Sequence, residues 1–366
     1  MQRIFMLFAI PFLLIFLAIP SLASDNPEIS WERDRGEWIA TVTYNTDVGD
    51  GGSLRMKNIV GNITVTGGKS KKASLVYEVR IDKRIDREEA EALLDEVIPE
   101  FTTSGSRISV YGQNSRRGNY NHISTSLNAS LPAKFDVDGS TGGGSITVRG
   151  LEGTIDMSSG GGSIDVEECQ GDFGISTGGG TIELSKIKGM IDVSTGGGSI
   201  DLEDVVSDSR GRVSTGGGGI DLINTEGTLT LSTGAGNIRV RDHNGDLRVS
   251  TGAGNIDSRD VHGSFNCGTG AGSVDVDVPM DKNAATWTLE VNTGAGSINL
   301  RLPGKLPATL HAFVENARSS NDIRSDFDLD ISDSRWAGIT ASGKINGGGM
   351  SVKVSSGKGK IYIRKI

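Results

Sequence analysis

The residues best placed to do chemistry are six carboxylates that recur at one position of a repeat: Asp165, Glu183, Asp201, Asp221, Asp257 and Asp275. They stand 18 or 20 residues apart, with Arg239 taking the place between Asp221 and Asp257. Strands stacked at the ~4.8 Å spacing of a β-sheet would turn them into one outward column, whose mutual repulsion must be relieved by solvent or a cation. Two chemistries follow: calcium held between neighbouring carboxylates, or acid–base work on a polysaccharide. The plainer alternative is a solvated acidic face that keeps the protein soluble. His243 and His262 form a second candidate. They read as occupying equivalent turns of adjacent repeats, beside Asp242 and Asp260, close enough to share a metal.

The element that must position these side chains is a phrase repeated nine times: Thr or Ser, a Gly-rich triplet, a small residue, then Ile or Val. It begins at Thr141, Ser159, Thr177, Thr195, Thr215, Thr233, Thr251, Thr269 and Thr293, at intervals of 18, 18, 18, 20, 18, 18, 18 and 24 residues. Such periodicity marks a stacked repeat architecture. Two and four residues before the Thr stand apolar side chains such as Met157 and Ile155. Five and seven after it stand another pair, Ile164 and Val166 in the unit of Ser159. Each unit therefore predicts two short strands of period two, joined by Gly-rich corners.

The same residue type recurs at the same place in every unit, so the units are expected to run parallel and in register. The fold class is all-β: a single-stranded parallel β-solenoid, right-handed by the usual crossover preference, of about 18 residues per coil. The Thr hydroxyls are open to two readings, a flat ladder that recognises a lattice or glycan, and a ladder bonded to the next coil or to the Gly-turn amides. The second is the expectation.

The chain has 366 residues and a net charge of −9, a poor balance for nucleic-acid binding. Residues 1–23 read as a secretory signal peptide, with Arg3, an apolar run and Ser21-Leu22-Ala23; export leaves no membrane span. Residues 24–131 are expected to form N-terminal strands, a degenerate coil around Gly51–Val65 and a cap region. Its helix, from Asp86 to Ile98, starts with Asp86 and Glu89 and stops at Pro99. Residues 132–302 form the solenoid, and 303–366 hold strands that finish or cap it, among them Met350 to Val354. Cys169 and Cys267 lie more than five units apart, too far for a disulfide, and are expected free and buried.

The leader, the Ser-Thr-Gly-Gly-Gly-Ser-Ile-Asp units and the closing Gly-Lys-Ile-Asn-Gly-Gly-Gly at 343–349 resemble a bacterial β-strand-repeat family of unknown function labelled putative adhesin. The resemblance spans 45–366 and implies an exported protein; no catalytic residues carry over. The expectation is a non-enzymatic adhesin or envelope-binding module without an obligatory cofactor, in the periplasm, at the cell surface or outside, meeting a cell-envelope polymer, glycan or protein. Two alternatives stand beside it: a polysaccharide-active β-helix enzyme using the acidic face with calcium, and a periplasmic structural or regulatory scaffold docking a partner through 69–131.

Overall fold

A computed structural model describes residues 27–112, 123–281, 283–334 and 338–366. The expected leader and the polar loop 114–121 lie outside the described residues. What is described is all-β, with one α-helix and short 3-10 turns.

The repeat phrase builds two parallel ladders. In the first, Ile155–Ser159 pairs with Phe135–Thr141 on one side and Phe173–Thr177 on the other, so that Ile155 meets Val137 and Phe173. In the second, Ile146, Ile164, Ile182, Ile200, Ile220, Ile238 and Ile256 meet in register, strand after strand. The four inward side chains of a unit, such as Ile155, Met157, Ile164 and Val166, are at most 1% exposed. Both cysteines are free and buried in this core.

A fifth inward column was not expected: Leu151, Cys169, Ile187, Val205, Thr225, His243 and Val261 are all buried. Simple alternation from Ile182 and Leu184 would put position 187 outside. The residue before each of the last five, from Lys186 to Asp260, sits at a positive φ of 50 to 56°. This left-handed residue slips the phase of the strand by one, as a bulge does, and turns the next side chain inward.

Glycine is demanded at two of the three corner positions and is optional at the middle one. A Cβ on Gly162 would lie 2.0 Å from the Gly144 carbonyl oxygen, and one on Gly160 2.1 Å from that of Gly142. A Cβ on Gly161 would meet nothing within 4 Å, and later repeats carry Ala235, Ala253, Ala271 and Ala295 there.

The sheet is mixed, which corrects the expectation of parallel pairing throughout. At the N-terminal end the degenerate repeat, Gly52–Ile59 and Asn62–Gly68, pairs in parallel with the array. Its far side pairs with Arg107–Tyr111 and Ile123–Pro132, which come later in the chain. Antiparallel strands Lys72–Ile81, Glu37–Asp47 and Glu28–Asp34 then follow outward.

The C-terminal end is built the same way. Met350–Ser356 and Ile361–Lys365 do not finish the stack. They lie between Thr288–Thr293 with Ile298–Leu302 on one side and Ala308–Val314 with Ile323–Ser325 on the other. The outermost strands there, Gly338–Ile345 and Asp330–Ser334, are antiparallel.

The helix, Arg87–Val97, is capped by Asp86, whose carboxylate accepts the Glu89 amide at 2.9 Å, and it buries Ala90, Leu94 and Val97. Arg87 lies over the rings of Trp31 and Trp38, 3.9 and 5.1 Å from their centroids, and ties the helix to the outer strands.

Gly162→Ala is expected to cost about 2 kcal/mol or more in urea unfolding, because backbone would have to shift across two repeats, whereas Gly161→Ala stays within about 0.5 kcal/mol. Equal effects would refute this account of the corner.

Candidate binding groove

The acidic column assembles as the register requires. Asp165, Glu183, Asp201 and Asp221 are successive neighbours on four adjacent strands, Arg239 follows, and Asp257 and Asp275 come next. The first four, with Glu203, Ile223, Arg239 and Arg241, line an open groove of about 710 Å³. Ile223, one of its lining residues, is 45% exposed.

The groove is not uniformly acidic. Arg149 pairs with Asp165 at 3.3 Å and with Glu167 at 3.2 Å. Arg239 pairs with Asp221 at 3.4 Å, and Asp257 faces Arg241 and Arg259 at 3.8 and 3.4 Å. Asp275 accepts the Asn299 amide group at 2.9 Å. Among the described residues, Glu183 and Asp201 have no cation within ion-pair distance. Partial burial, reinforced by the charges of Asp221 and Glu183, raises the pKa of Asp201 above the usual carboxylate range. These carboxylates stand one per strand rather than converging, and among the described residues no three His, Cys, Asp or Glu side chains form a metal cluster.

The two histidines are not equivalent, which corrects their expected pairing. His243 registers with Val261, and His262 with Asn244. Nineteen residues separate them where the repeat is eighteen, and in a strand one residue of offset reverses the face. His243 is fully buried, its Nδ1 2.8 Å from the Thr225 hydroxyl and its Nε2 without a hydrogen-bond partner among the described residues. His262 faces outward and pairs with Asp281 at 3.0 Å.

The Thr column also points inward, each member only 5–6% exposed. Thr177 donates its hydroxyl to the Gly162 carbonyl of the preceding repeat at 2.8 Å, and Thr195 does the same to Gly180 at 2.9 Å. The same oxygens accept an amide of their own corner, Gly180 to Thr177 and Gly198 to Thr195, at 3.4 and 3.2 Å. The outward hydroxyl ladder belongs instead to the residue before the Thr. Ser140, Ser158, Ser176, Ser194, Ser214, Ser232 and Ser250 stand in register, half-buried or exposed. Strand alternation applied to the Ser-Thr dipeptide would have found it.

No protein-family model matches the chain, and neither does any curated protein. Among solved structures it is similar to a putative adhesin from Parabacteroides merdae ATCC 43184, with 11% identity over 88% of this chain and 96% of that one, at a TM-score of 0.33. It is also similar to a putative cell adhesion protein from Clostridium sporogenes ATCC 15579, with 10% identity over 93% and 100% at a TM-score of 0.19. A putative lipid binding protein from Parabacteroides distasonis ATCC 8503 shows 13% identity over 93% and 98%, at 0.31. The adhesin label met in the sequence thus recurs among these structures. At such scores the likeness carries no argument about what this chain binds.

Thr195→Val is expected to cost about 1–3 kcal/mol, since it strips a partner from two backbone groups of the corner, while Ser194→Ala changes urea stability by less than about 0.5 kcal/mol. A reversed order would return the Thr column to the surface.

Burial lowers the His243 pKa from 6.5 to about 4, opposed in part by the backbone of Gly227 and Asp246 and, less, by the charge of Asp246. The unfolded chain then binds a proton that the folded one refuses, so stability falls as the pH drops from about 6.5 towards 4, by about 3 kcal/mol in all. His243→Val, the side chain that Val205 and Val261 place in the same column, is expected to remove that slope from a pH series of unfolding curves. A slope that persists would assign it to other groups.

Proposed function

We propose that the protein is an exported, non-enzymatic binding module of the cell envelope, a right-handed β-solenoid of about 18 residues per coil whose outward columns meet a polymer or protein partner. The observation that carries this reading is the division between the two sides of each strand. Inward positions are consumed by packing, from the four aliphatics of each unit to the Thr relay and the buried fifth column. What remains for recognition is the outward surface, where the 710 Å³ groove lies. The arginines set among its carboxylates offer donors and acceptors together, and Ile223 adds an exposed apolar side chain, a mixture suited to the hydroxyls and ring faces of a glycan.

A second reading, polysaccharide cleavage with calcium bound at the acidic face, draws its support from Asp201. A carboxyl held nearer its neutral form between ionised neighbours is how acid–base pairs are made.

The full chain, produced with its leader, is expected in the exported fraction and to be retained on isolated envelope polysaccharide without releasing reducing ends. Asp201→Asn is expected to keep that retention and to raise the melting temperature in calcium-free buffer by relieving repulsion. Release of reducing ends that Asp201→Asn abolishes would replace the module by the enzyme. Cytoplasmic retention, or no capture of any envelope material, would overturn the reading altogether.

A further inference from the structure

The two departures from the 18-residue interval flank one face of the array. The 20-residue unit carries its extra length between Val206 and Arg210, where the ladder breaks register. The 24-residue unit carries its own just before Thr288, in a loop containing the 3-10 turn Ala284–Thr286. Between them, on the outward side of the first ladder, lies a trough of about 210 Å³. Arg210 enters it directly from one insertion and Thr288 from the other. In repeat proteins such insertions collect on one face, commonly the one that binds.

The charge of this face is distinctive. Along the same outward column, the earlier members are Asp138, Asp156, Gly174 and Asp192; from Arg212 onward the sequence is Arg212, Thr230, Arg248 and Asn266, before Glu290 returns it to an acid. Arg210 stands beside Thr228 in the column next to it. In a chain of net charge −9, Arg210, Arg212 and Arg248 make no ion pair among the described residues. One carboxylate, Asp246, lines the trough with Arg210 and Arg248. Asp246 accepts the Ser264 amide at 3.1 Å, and Glu290 accepts the Asn266 side chain at 3.1 Å. Asp192 is opposite Arg212 in register yet makes no ion pair with it.

Two guanidinium forks in the trough, Arg210 and Arg248, with Thr228 and Thr230 also lining it and Arg212 next to Thr230 in the same outward column, form a donor array for planar or tetrahedral oxyanions. Arg212 and Arg248 lie two strands apart on either side of Thr230, about 10 Å at the strand spacing of a sheet. That suits a ligand whose charges repeat along its length better than one small anion. No exposed aromatic lines the trough for base stacking.

We propose that this trough, together with the outward column that continues from Thr230 to Arg212, binds an anionic polysaccharide, with the carboxylate or phosphate groups of successive sugars held by Arg210, Arg212 and Arg248. The inference rests on the envelope-binding reading only for where such a polymer would be met.

The test is titration calorimetry of the full chain with oligogalacturonate, with a phosphorylated mannan, with inorganic phosphate and with neutral dextran, at low and high salt. At least one anionic polymer is expected to bind, more weakly as salt rises, while dextran does not; the two polymers separate carboxylate from phosphate as the charge recognised. Arg210→Gln and Arg248→Gln are each expected to weaken binding about tenfold or more, and the triple variant with Arg212→Gln to abolish it. Arg364→Gln serves as a distant control that leaves binding unchanged, and melting temperatures establish that the variants fold.

Binding of neither polymer, binding of inorganic phosphate as tight as that of the polymers, or equal binding by the triple variant would overturn the proposal. So would self-association of the wild-type chain that the triple variant loses, because the face would then join copies of the chain. Failure here with envelope capture intact removes this site alone; failure of all envelope capture removes the broader reading.

Discussion

The structure depends on how closely the Gly-rich corners of neighbouring repeats approach one another. A corner glycine donates its amide to the Thr of its own repeat, and its carbonyl receives the Thr of the next, as at Gly180 between Thr177 and Thr195. The relay continues through Gly198, Gly218, Gly236, Gly254 and Gly272. Each such bond contributes only about 1 kcal/mol net, but leaving its partners dry and unpaired would cost more. The bond exists only where no Cβ holds the strands apart, so glycine and threonine at the corner are one requirement.

With the corner and the inward columns committed, freedom is confined to the outward side. There the repeat varies in charge, from the acidic run Asp165 to Asp221 on one ladder to the arginines at 212 and 248 on the other. Variation costs little on that side because an outward side chain is solvated whatever its type. The two insertions are tolerated for the same reason: a longer turn leaves the strands on either side in register.

The ends answer a different constraint. A stack of parallel strands leaves open edges that invite pairing with other chains. At both ends a pair of strands distant in sequence is interposed next to the array, a further parallel pair follows, and antiparallel strands cover the outside. The outermost strand near the C-terminus, Asp330–Ser334, carries two aspartates and a serine among its first four residues, which discourages further pairing.

Much of this was legible in the sequence, because a side chain stacked on its own kind must recur at a fixed interval. The positions of Ile146, Ile164 and Ile182, the inward pairs, the helix with its Asp86 cap and the acidic column follow from spacing alone. The pairing of part of the column with arginines was not legible, since Arg149 and Arg241 sit two residues from its line and pair with Asp165 and Asp257 across strands. Nor was the inward turn of His243, because period-two reasoning cannot see a left-handed residue such as Asp242 slipping the phase.

The sequence by itself determined the repeat, its unit length, the composition of its core and the chemistry offered by each outward column, because periodicity is written in residue types. Only the tertiary structure decided which strands close the ends, that His243 turns inward, and that the two insertions flank a single trough. Those depend on strand neighbours distant in the chain and on backbone angles, and neither is set by the type of any one residue.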